Sequence, residues 1–188
     1  AAYDTIRNCT IDLSVVTNSS SNTSTGLAIS ASTTSPTTVA PSGTINAKNI
    51  YIANNLFDLG SPTSAYGAYY GISIYGNGQG TGTDSIAFVN NEVKNFSYNG
   101  IYSYGNNKLR IENNDVHRST KTALYTTLVG IYSSTDIGLR LVGNKIHDFA
   151  IRGIESTNQF FGIQLGSVNT PNNTTPALIA NNAIYNQY

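Results

Sequence analysis

From Leu109 to Glu112 the chain alternates apolar and polar residues, breaks at Asn113-Asn114, and resumes the alternation through Asp115-Val116-His117. Period two marks a strand with one buried face, and an Asn pair between two such runs marks a bend. The same strand–bend–strand pattern returns around Ile52, Phe88, Leu141 and Ile179, and more loosely around Ile6. With the second bend residue as register mark, the copies fall at Asn55, Asn91, Asn114, Asn144 (preceded by Gly143) and Asn182, and Cys9 holds the mark in the first copy. The intervals are irregular (91−55=36, 114−91=23, 144−114=30, 182−144=38).

A second block, Gly followed by apolar-x-apolar or a near relative, follows each of the first five copies: Gly26-Leu27-Ala28-Ile29, Gly71-Ile72-Ser73-Ile74, Gly100-Ile101-Tyr102-Ser103, Gly130-Ile131-Tyr132-Ser133 and Gly162-Ile163-Gln164-Leu165. The repeating unit is thus strand, Asn bend, short strand, loop, Gly, strand, loop. Three short strands and three bends per unit suit a parallel β-solenoid, whose turns stack at the strand spacing while loops of any length leave at the bends. A β-sandwich also uses short strands and turns, but it does not require the same Asn at the same place in each copy. The Asn column has a structural reason: Asn tolerates the left-handed backbone at a tight bend, and stacked carboxamides can bond along the axis. Cys9, in the same slot, is expected to be a small buried thiol.

The I-x-N-N-x-I block followed by G-I-x-x resembles the right-handed parallel β-helix repeat of the pectate-lyase-like superfamily. It is most similar to the Asn/Ser/Thr-rich helices in large secreted and surface proteins of type IX-secreting bacteria. The resemblance implies an all-β solenoid over 1–188, a single segment of about five to six coils with an Asn ladder. The superfamily includes lyases, hydrolases, epimerases and non-catalytic adhesins, so the repeat implies a fold rather than an activity.

Composition narrows the setting. Charged residues are 11% of the chain and the formal net charge is zero, which argues against binding nucleic acid through its phosphates. No apolar run approaches a membrane span, so no membrane insertion is expected. One cysteine cannot make an internal disulfide, and a surface of Ser, Thr, Asn, Gly and Tyr suits an extracellular or cell-surface location. Neither end of the chain carries an amphipathic cap, so further β-helix coils of the same chain are expected as neighbours. The Gly cluster from Gly76 to Gly82 lacks the lysine and helix of a phosphate loop.

Candidate chemistry lies in the outward columns. On the Gly-block strand the column runs Ala28, Ser73, Tyr102, Tyr132, Gln164, with Tyr75, Tyr104 and Phe160 nearby. Tyrosines on one face suit a polysaccharide or cell-surface glycan, so Tyr75, Tyr102, Tyr104, Tyr132 and Gln164 form the candidate ligand-binding set. Within the resemblance, enzymes carry acids on this face or its flanking loops. Here Asp84, Asp136 and Glu155 are the nearest, each in a different loop and each expected to be a solvated surface residue. A second column after the Asn bend runs Asp12, Asp58, Lys94, His117, His147, Tyr185. His117 and His147 are its weak metal candidates; two ligands fall short of the four a structural zinc takes. Arg118 and Asp148 are expected to form a surface ion pair. No cofactor and no catalytic residue is assigned. The expectation is a non-catalytic stalk or glycan-binding module of a large surface protein or adhesin. The alternative is a carbohydrate-active lyase or glycoside hydrolase of the β-helix superfamily.

Overall fold

Successive strands fall into three parallel sheets in rotation. The computed structural model describes residues 3–17, 24–30, 47–76, 83–123, 126–149, 159–166 and 175–187. Sheet A stacks Asp4–Arg7, Ile50–Ala53, Ala87–Val89, Arg110–Glu112, Arg140–Val142 and Leu178–Ala180. Sheet B stacks Thr10–Asp12, Leu56–Asp58, Glu92–Lys94, Asp115–His117, Lys145–His147 and Ala183–Tyr185. Sheet C stacks Thr25–Ser30, Tyr70–Tyr75, Asn99–Tyr104, Thr127–Ser134 and Gln159–Leu165. Each visit to a sheet adds one strand beside the previous one, and every pairing is parallel, an arrangement consistent with a parallel β-helix. The described residues contain no helix. A small fourth sheet pairs Ala47–Lys48 with Thr83–Asp84, and single bridges carry it on through Asn107 to Ile137.

The register turns the apolar positions into columns. Ile6, Ile52, Phe88, Ile111, Leu141 and Ile179 pair in order along sheet A. Ile11, Phe57, Val93, Val116, Ile146 and Ile184 do so along sheet B, and Leu27, Ile72, Ile101, Ile131 and Ile163 along sheet C. The middle members are fully buried in one continuous core. Full burial of one such side chain contributes roughly 1.5–3 kcal/mol. The end members Ile179 and Ile184 remain 42% and 49% exposed.

Two adjacent residues divide the work of each bend. The first is left-handed: φ is +57° at Asn54, +56° at Asn90, +55° at Asn113 and +71° at Gly143. The second forms the ladder. Nδ2 of Asn55, Asn91, Asn114 and Asn144 each donates to Oδ1 of the next rung's Asn, at 2.9, 3.1, 3.0 and 2.9 Å. The same Oδ1 accepts the backbone N–H of the preceding rung, and each Nδ2 also donates to a sheet A carbonyl. Groups that the bend removes from the strand ladders are thereby paired in the interior. Cys9 differs from expectation: it is exposed, in the first rung described, where its N–H reaches Asn55 Oδ1 and its thiol donates to the Arg7 carbonyl at 3.3 Å.

A second polar ladder lies where sheet C turns toward sheet A. Thr83 Oγ donates to Asn106 Oδ1, and Asn106 Nδ2 donates to Asp136 Oδ1 (2.7 Å) and to the Ile74 carbonyl (2.9 Å). Asp136 also accepts the Asn106 N–H at 2.8 Å and the Ser103 and Ser133 hydroxyls, both at 2.6 Å. Burial raises its pKa, and the surrounding donors work against that shift. Asp136 is therefore an interior residue rather than a solvated one.

Candidate functional site

The sheet C face carries an aromatic stack. Tyr102 lies between Ser73 and Tyr132 in register, Tyr132 pairs with Gln164, and Tyr75 pairs with Tyr104. Tyr102 and Tyr132 stack at 5.2 Å between ring centroids and 3° between planes; Tyr75 and Tyr104 stack at 5.0 Å and 15°. Tyr75 bridges the two columns by stacking on Tyr102 at 6.2 Å, and Tyr70 tilts against Tyr102 at 4.8 Å. Tyr69 and Tyr98 extend the cluster toward the loop before Tyr70. Parallel strands place identical side chains one rung apart, so two tyrosines in register meet face to face. Their ring faces cover one another, and what they present to a ligand is hydroxyls and ring edges. Burial, reinforced by neighbouring phenols, raises the pKa of Tyr70, Tyr75 and Tyr102, so these hydroxyls stay protonated donors. Phe160 pairs with Leu128, outside these columns. Asp84 bonds Ser85 and Asn107, and Glu155 lies outside the described residues.

Sheet B presents a charged face with two outward columns. Lys94, His117, His147 and Tyr185 form one; Glu92, Asp115 and Lys145 form the other. His117 and His147 stack at 5.0 Å and 10°, and His147 stacks on Tyr185 at 4.7 Å and 9°. Their nitrogens are engaged. His117 Nε2 meets Glu92 Oε1 at 3.2 Å, His147 Nε2 meets Asp115 Oδ1 at 2.7 Å, and His147 Nδ1 meets Asp148 Oδ2 at 2.7 Å. Parallel stacked rings do not aim two lone pairs at one ion, and the described residues contain no group of three or more side chains suited to a metal.

Arg118 does not pair with Asp148. It is buried, 1% exposed, and its Nη2 donates to the carbonyls of Ala65 (3.2 Å) and Ala123 (3.5 Å). Lys121, 7% exposed, donates Nζ to the carbonyls of Ser61, Ser64 and Tyr66 at 2.8, 2.9 and 2.7 Å. The Lys121 N–H closes a turn onto the Arg118 carbonyl at 2.8 Å. Burial pushes the Arg118 guanidinium down to about 10; burial and that neighbouring guanidinium push the Lys121 ammonium down to about 7. Two buried basic side chains thus rivet the 118–121 turn to the 61–66 loop through backbone carbonyls. The chain signals neither role, since all but one of the carbonyls that hold them (that of Ala123) come from a segment over fifty residues earlier. The outward column beginning one residue after the Asn mark (Leu56, Glu92, Asp115, Lys145) is legible by register and supplies the partners of both histidines.

No protein-family model, curated protein or solved structure matches this chain.

Proposed function

We propose that the chain is a segment of an extracellular right-handed parallel β-helix of about five to six coils, serving as a structural and glycan-binding module of a large surface protein. The pectate-lyase-like repeat and the likeness to β-helices of type IX-secreting bacteria belong to this reading. The observation that carries it is the sheet C face, where stacked Tyr75–Tyr104 and Tyr102–Tyr132 offer a row of hydroxyls one rung apart. Half-buried phenols held by stacking lose little side-chain freedom on meeting a ligand, and a row of ring edges and hydroxyls suits the ring oxygens and hydroxyls of a saccharide. The Ala28, Ser73, Tyr102, Tyr132, Gln164 column contains no carboxylate and Asp136 faces inward, so among the described residues this face presents no pair of acids of the kind glycosidic cleavage takes. Tyr102→Ala and Tyr132→Ala should each abolish binding on a glycan array while leaving the far-ultraviolet circular dichroism unchanged. Array binding that survives both substitutions removes the glycan reading.

A further inference from the structure

The turn after the sheet B strand Asp115–His117 carries a serine outside the tyrosine face. Ser119 is exposed, and its Oγ lies 2.8 Å from His117 Nδ1. Its backbone N–H also reaches that nitrogen, at 3.3 Å. A backbone N–H can only donate, so Nδ1 is the bare nitrogen and the ring proton sits on Nε2, which donates to Glu92 Oε1 at 3.2 Å. The Ser119 hydroxyl then donates its proton to Nδ1. A hydroxyl, a neutral imidazole and an orienting carboxylate stand in series, with the two ring nitrogens exchanged relative to the serine-protease template.

We propose that Ser119, His117 and Glu92 form a hydrolytic site for short-chain acyl esters on the outer face of sheet B. As Ser119 Oγ attacks the ester carbonyl carbon, its proton passes to His117 Nδ1. The bond from carbonyl carbon to the ester oxygen breaks, and the departing alkoxide takes that proton and leaves as an alcohol. Water then attacks the acyl carbon and gives a proton to Nδ1; the bond from that carbon to Ser119 Oγ breaks, Oγ takes the proton back from Nδ1, and the carboxylic acid leaves. Glu92 holds the ring through Nε2 and stabilises the transient imidazolium.

Three observations separate this arrangement from an ordinary surface hydrogen bond. Burial pushes His117 below the usual histidine range, with Asp115 and Glu92 opposing and His147 assisting, so the ring is neutral and able to accept a proton at pH 7. The turn bearing Ser119 is fixed from both sides by Arg118 and Lys121, which ordinary solvent-facing turns do not require. The next rung of the same column differs: His147 has a carboxylate on each nitrogen, and no hydroxyl bonds its ring among the described residues. The Thr120 N–H has no acceptor among the described residues and follows the nucleophile, the place from which a donor to a developing oxyanion commonly comes. The charged groups facing His117 are Glu92 and Lys94 from one neighbouring strand, His147 from the other with Asp148 just beyond it, and Asp115 on its own.

The site is independent of the tyrosine face, and its test uses different variants. The intact protein is treated with a fluorophosphonate probe and mapped by peptide mass spectrometry, and p-nitrophenyl acetate hydrolysis is followed over pH. Labelling at Ser119 is expected, with hydrolysis falling to the buffer rate in Ser119→Ala and by about a hundredfold in His117→Gln. Glu92 is a positioning residue: Glu92→Gln should lower the rate and move the ascending limb of the pH–rate profile to lower pH, because removing the anion makes the imidazolium less stable. Absence of label at Ser119 in the wild-type protein, or hydrolysis by Ser119→Ala at the wild-type rate, would overturn the proposal.

Discussion

Asn114 makes four side-chain hydrogen bonds at almost no exposure: it accepts from the N–H and Nδ2 of Asn91 and donates to Phe88 and to Asn144. Asn114→Ala leaves the Asn91 N–H buried without an acceptor and interrupts the ladder at its centre. An expected loss of about 2–4 kcal/mol would be measured as a lower urea midpoint with an unchanged m-value. Gly143 tests the other half of the bend. At φ +71° an added Cβ would stand 2.3 Å from Asn113 Oδ1, so Gly143→Ala should cost about 1–2 kcal/mol in the same experiment, whereas Asn90→Gly should fall within about 1 kcal/mol of the wild type. The Asn ladder was legible in the sequence because one residue type recurs at one register position. The second ladder was not, because Thr83, Asn106 and Asp136 are three residue types linked only by each lying eight positions before Asn91, Asn114 and Asn144. Asp136 in particular looks like a loop carboxylate until Ser103 and Ser133, inward-facing positions of two sheet C strands, turn their hydroxyls toward it.

Sheet A poses a problem that its own register creates. Arg110 and Arg140 are cross-strand partners, so like charges stand one rung apart. Glu112 resolves it by accepting from Arg110 Nη2 at 2.5 Å and from Arg140 Nε at 2.8 Å. The bond from Arg110, helped by that from Arg140 and opposed by burial, holds the Glu112 carboxyl below its ordinary value of 4.5. A carboxyl whose pKa is lowered on folding stabilises the folded state above its unfolded value, and that contribution disappears as pH falls through the folded one. Glu112→Gln should therefore destabilise by about 1 kcal/mol at pH 7, where two half-exposed arginines lose a shared anion, and should flatten the stability loss from pH 4.5 downward. Urea midpoints across that range check both; parallel acid profiles for variant and wild type would dissociate Glu112 from acid sensitivity. Elements were legible to the extent that period two and the Gly blocks set strand order and pairing. Side-chain partnerships between rungs were less so: the sequence placed Tyr102 beside Tyr132 and His117 beside His147, but ring stacking, and the carboxylates that cap each imidazole, depend on a neighbouring column offset by two residues.

A stack of rungs, each touching only its neighbours, has stability that varies along its length. Ile146 and Ile184 are register partners at the same inward position of sheet B, yet Ile146 is fully buried and Ile184 is 49% exposed. Equal chemistry in unequal surroundings makes the pair a direct probe of how far the core is closed. Ile146→Ala should cost about 2–5 kcal/mol, since it empties space lined by Gly130 and the sheet B column. Ile184→Ala should cost about 1 kcal/mol, because its side chain has only half its surface to return to water. Hydrogen exchange should show the same gradient: amides of Asn99–Tyr104, Arg110–Glu112 and Asp115–His117 exchange through global unfolding, and those of Leu178–Ala180 and Ala183–Tyr185 through local opening at lower free energy. The discriminating outcome is equality. If Ile184→Ala destabilises as much as Ile146→Ala, and the last strands exchange as slowly as the middle ones, then the end rung is covered in solution by something that buries Ile179 and Ile184 as fully as their partners Leu141 and Ile146 are buried, and the gradient is an attribute of the isolated chain alone.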